Sequence, residues 1–219
     1  MFITFEGPDG SGKSTQIGRL ATTLQQLGYP VYATREPGGT PIGDQIRAVL
    51  FDLKNTAMDP RTEILLFQAS RAQHVSQVIR PRLDRGEVVL CDRFADSTLA
   101  YQGYGHCFDR QELQTIINFA TGGLQPDLTL LLDLPVEVGL ARREKGGDWN
   151  RLDAFTLAFH TRVRQGYLEM AQAEPQRWVV LNAELPADEL QAQIRNIIID
   201  HLASWRARPA KPGDRSVTD

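Results

Sequence analysis

Residues 7 to 14, Gly-Pro-Asp-Gly-Ser-Gly-Lys-Ser, carry the most legible chemistry in this chain. They match G-x-x-x-x-G-K-[ST] at every fixed position, a loop whose backbone N–H groups cradle a polyphosphate. Gly7, Gly10 and Gly12 let the main chain take positive φ and approach a phosphate closely. Lys13 reaches the β- and γ-phosphates, and Ser14 offers a hydroxyl to Mg²⁺. The flanks supply the setting this pattern needs. Phe2, Ile3, Thr4 and Phe5 form a short β-prone run before it, and Ile17, Leu20, Ala21, Leu24 and Leu27 recur at helical spacing after it, up to Gly28. The loop therefore opens a helix, where unpaired N–H groups and the positive dipole end attract an anion.

A second set of ligand-type residues implies a second substrate: Arg35, Phe67, Arg71, Asp92, Arg93, Tyr101 and Gln102. Asp92-Arg93 closes the apolar run Val88 to Cys91, at the strand edge where open α/β sheets bind ligands. The same pair also reads as a structural ion pair, and Phe67 also lies among apolar residues of its helix. Between Thr34 and Pro41, a stiff proline and glycine loop follows the second strand and reads as a binding element.

The elements that must position these groups alternate. Strands are expected at 2–5, 30–34, 87–91, 127–134 and 178–181, all short and largely apolar. Helices are expected from Ser14, at 42–50, at 61–85 with a kink at Pro81, at 109–121 capped by Asp109, after Pro135, at about 152–173 and at 187–205. Residues 94 to 108 look too polar and broken for a core helix throughout, and 142 to 151 read as a mobile basic flap. Such alternation argues for a parallel sheet covered on both faces, a three-layer α/β/α P-loop domain with five strands. The tail 206–219 reads as disordered.

With 219 residues, 42% of them apolar and 23% charged, the composition is that of one ordinary soluble domain. A net charge of −3 gives no overall basic field, so nucleic acid is not expected as a main partner. No run is long enough to cross a bilayer and the chain opens directly on a core strand, so a cytoplasmic protein is expected. Cys91 and Cys107 lack metal-type spacing and read as reduced thiols.

The P-loop, Thr34-Arg35-Glu36-Pro37-Gly38-Gly39-Thr40, Asp92-Arg93-Phe94 and Ala100-Tyr101-Gln102-Gly103 together resemble the bacterial thymidylate kinases over about residues 1–205. The resemblance implies an ATP:dTMP phosphotransferase, giving dTDP and ADP for dTTP biosynthesis, on a nucleoside monophosphate kinase fold with a small LID at about 142–153, and typically a homodimer. It implies ATP contacts from Gly7 through Thr15, including Pro8, Asp9 and Ser11, and from Arg142. It places the dTMP phosphate on Arg35 and Arg93, the sugar 3′-OH on Asp9, and Mg²⁺ near Ser14 and Asp92. Phe67 would stack on thymine, Arg71 would bond its O4 edge, Tyr101 would pack where a 2′-OH would project, and Ser97, Gln102, Glu36 and Pro37 complete the acceptor set. Since Pro8, Asp9 and Ser11 bring no arginine, the transition-state cation is expected in cis from Arg142, Arg143 or Arg151; the alternative is a solvated charge run.

Two rivals stay open. A deoxynucleoside kinase would need a base, for which Glu36 is available. An ATP-switched binding protein would turn ATP over without regard to any acceptor. Asn150, Asp153 and His106 depart from the family pattern and receive no role.

Overall fold

The computed structural model describes residues 1–147 and 149–206. In chain order it contains β1 (Phe2–Glu6), α1 (Lys13–Gln26), β2 (Val31–Arg35), α2 (Pro41–Phe51), α3 (Pro60–His74), α4 (Arg80–Asp84), β3 (Val88–Asp92), α5 (Ala95–Thr98), α6 (Arg110–Thr121), β4 (Leu128–Asp133), α7 (Val136–Gly146), α8 (Leu157–Ala173), β5 (Trp178–Asn182) and α9 (Ala187–Arg206). The strands form one parallel five-stranded sheet in the order β2-β3-β1-β4-β5. Helices cover both faces, as side-chain alternation along β1 requires. Ile3 and Phe5 pack with Leu20, Leu24, Ile194 and Ile198 of α1 and α9, while Phe2 packs with Val75, Ile79 and Phe94 on the opposite face.

This strand order fixes where a ligand can sit. The chain leaves β1 toward β2 on one side and leaves β3 toward β4 on the other, so a crevice opens between the C-terminal ends of β1 and β3. Glu6 and the P-loop stand on one lip, Asp92 and Arg93 on the other.

Three expectations are corrected. Instead of one kinked helix at 61–85, α3 and α4 are joined by a π-helical turn, Val75–Ile79. Pro81 follows directly, and its ring cannot tolerate a tight turn before it. Residues 94 to 108 do contain a helix: α5 runs into a second π-helical turn, Leu99–Gly105, with Tyr101, Gln102 and Gly103 buried. Its glycines mark close packing rather than a break, since a Cβ on Gly105 would come within 2.5 Å of the Phe159 ring. In the expected flap, Arg142 and Arg143 belong to α7, which ends at left-handed Gly147, and the next helix begins only at Leu157, capped by the Thr156 hydroxyl. Asp148 of that flap lies outside the described residues, as does the tail beyond α9.

Candidate active site

The P-loop turns from β1 into α1 through Gly12, whose φ of +87° no L side chain adopts easily. Lys13 is buried beneath the loop and donates to Gly7 O at 3.1 Å, Pro8 O at 2.9 Å and Ser11 Oγ at 3.3 Å. Burial, reinforced by the nearby Arg93 charge, lowers the lysine to about 8. Gly10 is pinned from outside: a Cβ there would lie 2.3 Å from Gly139 O of α7.

Ser14 Oγ donates to Asp92 Oδ2 at 2.5 Å, joining the start of α1 to the end of β3. A hydroxyl and a carboxylate side by side are the hard oxygen ligands that Mg²⁺ prefers, and a Mg²⁺ site commonly has only one or two protein ligands beside phosphate oxygens and water.

Arg93 is the hub of the crevice and holds a left-handed backbone at φ +66°. Its guanidinium donates to Asp9 Oδ1 at 2.8 Å, Tyr167 Oη at 2.9 Å, Tyr101 Oη at 3.1 Å and Ser97 Oγ at 3.2 Å. Tyr101 Oη donates to the other Asp9 oxygen at 2.6 Å. Burial works against the Asp9 charge, but Arg93, Lys13 and the Tyr101 hydroxyl outweigh it and hold the carboxyl well below its usual range. Beneath this layer, fully buried Glu6 accepts from Phe94 N at 2.8 Å, Ser97 Oγ at 2.6 Å and Tyr167 Oη at 3.0 Å. Burial, and then the Asp96 charge, push Glu6 up to about 7.

Farther along, Arg71 is 2% exposed and fixed by four hydrogen bonds, to Glu36 Oε2, Gln68 Oε1, Thr98 Oγ1 and Phe94 O, at 2.8 to 2.9 Å. A guanidinium has five N–H donors, so one stays available to a ligand. Both oxygens of Glu36 are engaged, the second by His74 Nδ1 at 3.0 Å.

Most of the groups with ligand-type side chains border one cleft of about 760 Å³, with Glu6 and Tyr167 behind its wall. At one end stand Asp9, Gly10, Gly12, Lys13, Ser14 and Thr15. Arg35, Glu36, Pro37, Phe67 and Arg71 stand at the other, with Ser97, Tyr101 and Gln102 along the wall and Asp92 and Arg93 between the two ends. Arg142 and Arg143 lie on the rim; Arg142 donates to Gly10 O at 3.3 Å and Arg143 pairs with Asp153 at 2.8 Å. Gly7, Pro8 and Ser11 of the loop do not border the cleft.

Arg151 is the one expected catalytic cation that the structure does not bring to the cleft. It is 8% exposed, donates to Leu50 O at 2.8 Å and forms a close ion pair with Glu63 of α3. The sequence pattern does not single out Arg47, which lines the cleft, donates to Pro37 O at 3.0 Å and is lowered to about 10 by burial and by Arg35. Its only local signal is its place on the helix that follows the proline and glycine loop. Tyr167 and Glu6 are missed as well, since neither lies in a ligand-type string: Tyr167 accepts from Arg93 and donates to Glu6. Asp153, given no role from the sequence, pairs with Arg143.

The family model described as thymidylate kinase matches residues 5–194. A thymidylate kinase of Herpetosiphon aurantiacus is 52% identical, with 93% of this chain and 97% of that protein covered. One from Thermomicrobium roseum is 54% identical, with 95% and 99% covered. Among solved structures, thymidylate kinase from Ehrlichia chaffeensis superposes with a TM-score of 0.75 at 33% identity, over 91% of this chain and 98% of that one.

Proposed function

The chain belongs to the thymidylate kinase family and transfers the γ-phosphoryl group of ATP to dTMP, giving dTDP and ADP, and we propose how its cleft divides that work. The observation that carries the proposal is the single cleft with a P-loop at one end, a Phe67–Arg71–Gln102 pocket at the other and Arg93 between them. ATP lies with its phosphates on Gly10 through Thr15 and beside Arg142; dTMP lies with its base against Phe67, Arg71 and Gln102 and its phosphate toward Arg35 and Arg93. Asp9 and Tyr101 face the sugar.

The acceptor oxygen needs no base, because a phosphate monoester with a second pKa of about 6 is already a dianion at neutral pH. What must be overcome is repulsion between two polyanions meeting in line. Lys13, Arg93 and Arg35 supply opposing charge, and Arg143, on the rim, is the best-placed cation for charge that develops during transfer. Arg151, buried against Glu63, holds the LID end of the chain instead. Ser14 and Asp92 would hold Mg²⁺, which would supply counter-charge to the donor phosphates. The engagement of both Glu36 oxygens argues against the rival deoxynucleoside kinase, which would need that carboxylate as a base.

A homodimer is part of the proposal. Ile42 and Val49 on α2, Leu65 on α3 and Phe119 on α6 are exposed apolar residues, Phe119 at 90%, on helices that pack in series. Among the described residues no helix is long and apolar enough to cross a membrane, and both cysteines are free, which supports a reducing, cytoplasmic setting.

The test is ADP release from Mg·ATP with dTMP, AMP, GMP, thymidine or no acceptor. Release that depends on dTMP, with thymidine inert, is expected. Release indifferent to every acceptor would overturn the division of the cleft.

A further inference from the structure

Glu63 of α3 belongs to none of the expected ligand sets, yet three side chains from distant parts of the chain converge on it. It is 1% exposed. Gln102 Nε2 donates to its Oε1 at 2.7 Å, Arg151 Nη2 donates to its Oε2, and His106 Nε2 lies 3.6 Å from Oε1. Burial works against its charge, but the His106 and Arg151 contacts outweigh it and hold Glu63 below the usual carboxylate range. Glu63 is therefore an ionised, acceptor-only neighbour.

That has a consequence for Gln102, itself 1% exposed and part of the cleft wall. A side-chain amide can present either its NH₂ or its carbonyl in a given direction, and its partner decides which. A carboxylate accepts only, so Gln102 must turn its NH₂ toward Glu63, and its carbonyl oxygen is left on the opposite side of the amide. Arg71 adds a second fixed polarity, since its remaining N–H can only donate.

We propose that Glu63 is a specificity-determining positioning residue: by locking the Gln102 amide with its carbonyl toward the acceptor pocket, it selects pyrimidines that carry an N3–H donor. Thymine and uracil offer N3–H to the Gln102 carbonyl and O4 to Arg71. Cytosine presents an acceptor at N3 and an amino group at C4, so it meets an acceptor with an acceptor and a donor with a donor. A buried mismatch of that kind discriminates far more strongly than a missing methyl does. Arg151 takes part as the counter-charge that keeps Glu63 ionised. The inference rests on the base lying beside Phe67, Arg71 and Gln102, as proposed above.

The experiment compares kcat/KM for dTMP, dUMP and dCMP in the full-length enzyme and in Glu63→Gln, with circular dichroism to confirm the fold. A neutral amide at 63 can donate or accept, so Gln102 is freed to flip. The dTMP:dCMP ratio should fall at least tenfold, mainly through KM, while the dTMP:dUMP ratio, set by the methyl group, stays as in the unaltered enzyme. An unchanged dTMP:dCMP ratio in the folded variant overturns the role of Glu63 and leaves the base pocket standing. Unaltered enzyme that uses dCMP as well as dTMP instead overturns the base pocket, and the inference with it. Should Glu63→Gln not fold, ¹⁵N NMR of the unaltered enzyme decides. The Gln102 side-chain N–H signals should be protected from solvent exchange both free and with dTMP, and free exchange in either state overturns the lock.

Discussion

Arg93 donates to Asp9 across 2.8 Å, which ties the arginine proposed for the acceptor phosphate to the P-loop proposed for the donor. Tyr101 closes the same arrangement by donating to the second Asp9 oxygen at 2.6 Å. The two halves of the cleft thus share one carboxylate, and loss of either partner disturbs both. Asp9→Asn and Arg93→Lys should each raise KM for dTMP and for ATP. Their double variant should fall short of the summed effects, with a coupling of about 0.5–3 kcal/mol. Additive effects in that cycle would mean that the two residues act independently.

Lys13 should leave a basic limb in the pH profile. Burial and Arg93 lower its ammonium to about 8 in the free enzyme, so charge is lost as pH rises through that value. Because kcat/KM reports the free enzyme, kcat/KM for ATP should decline above about pH 8. Bound phosphates favour the charged form, so the decline in kcat should begin at higher pH. A profile for kcat/KM that stays flat to pH 10 would contradict this. Lys13→Ala should lower kcat by about 10²–10³-fold or more, the scale of one lost electrostatic donor in a closed site.

Arg143 and Arg151 should separate cleanly. Arg143 borders the cleft, so Arg143→Ala should reduce kcat by about 10²–10³-fold while ATP affinity changes little. Arg151 neutralises a carboxylate that is almost wholly buried, and breaking such a pair costs about 3–5 kcal/mol. At about 2–4 °C per kcal/mol for a chain of this size, Arg151→Ala should lower Tm by about 6–20 °C in a thermal melt. An Arg151→Ala enzyme with an unchanged melt and a collapsed kcat would return that residue to the chemistry.

Where a residue's neighbours lie close in the chain, its role is legible from sequence. Lys13 and Ser14 are fixed by the loop and helix around them, and Asp92 and Arg93 by the strand they terminate, so the five-stranded parallel sheet follows from local patterns, while the strand order that sets β3 beside β1 does not. Arg151 and Glu63 are 88 residues apart, and no local signal says that one neutralises the other. A cation in a basic stretch reads as a ligand or a solvated charge; only tertiary packing decides that this one is buried. Arg47 is obscured for the opposite reason, because an arginine on an amphipathic helix is ordinarily a solvated residue. The stretch from Phe94 to Gly105 misleads because its glycines and polar groups mimic a loop. In the structure Gly105 admits Phe159, Gly103 packs against Arg110 and Leu113, and Ser97, Thr98 and Gln102 line the cleft.

Gly139 of α7 illustrates a dependence that no motif records. Its φ is ordinary, but a Cβ added there would lie 2.3 Å from Asp9 O, well inside any real contact, and the atom it meets is backbone. Gly10 makes the reciprocal approach to Gly139 O, also 2.3 Å from its own added Cβ, so the P-loop and α7 touch main chain to main chain. Gly139→Ala must therefore push the loop away from the helix, which shifts Asp9 and with it the Arg93 and Tyr101 bonds. A misplacement of about 1 Å can cost about 10²-fold in rate. The expected result is a folded enzyme with kcat/KM for ATP lowered by about that factor. The loss of stability should stay within about 3 kcal/mol, the usual scale of overpacking. Gly18→Ala is the control: that glycine lies on α1, and an added Cβ meets nothing within 4 Å. Equal activity in the two variants would show that the loop accommodates α7 without holding its shape from it.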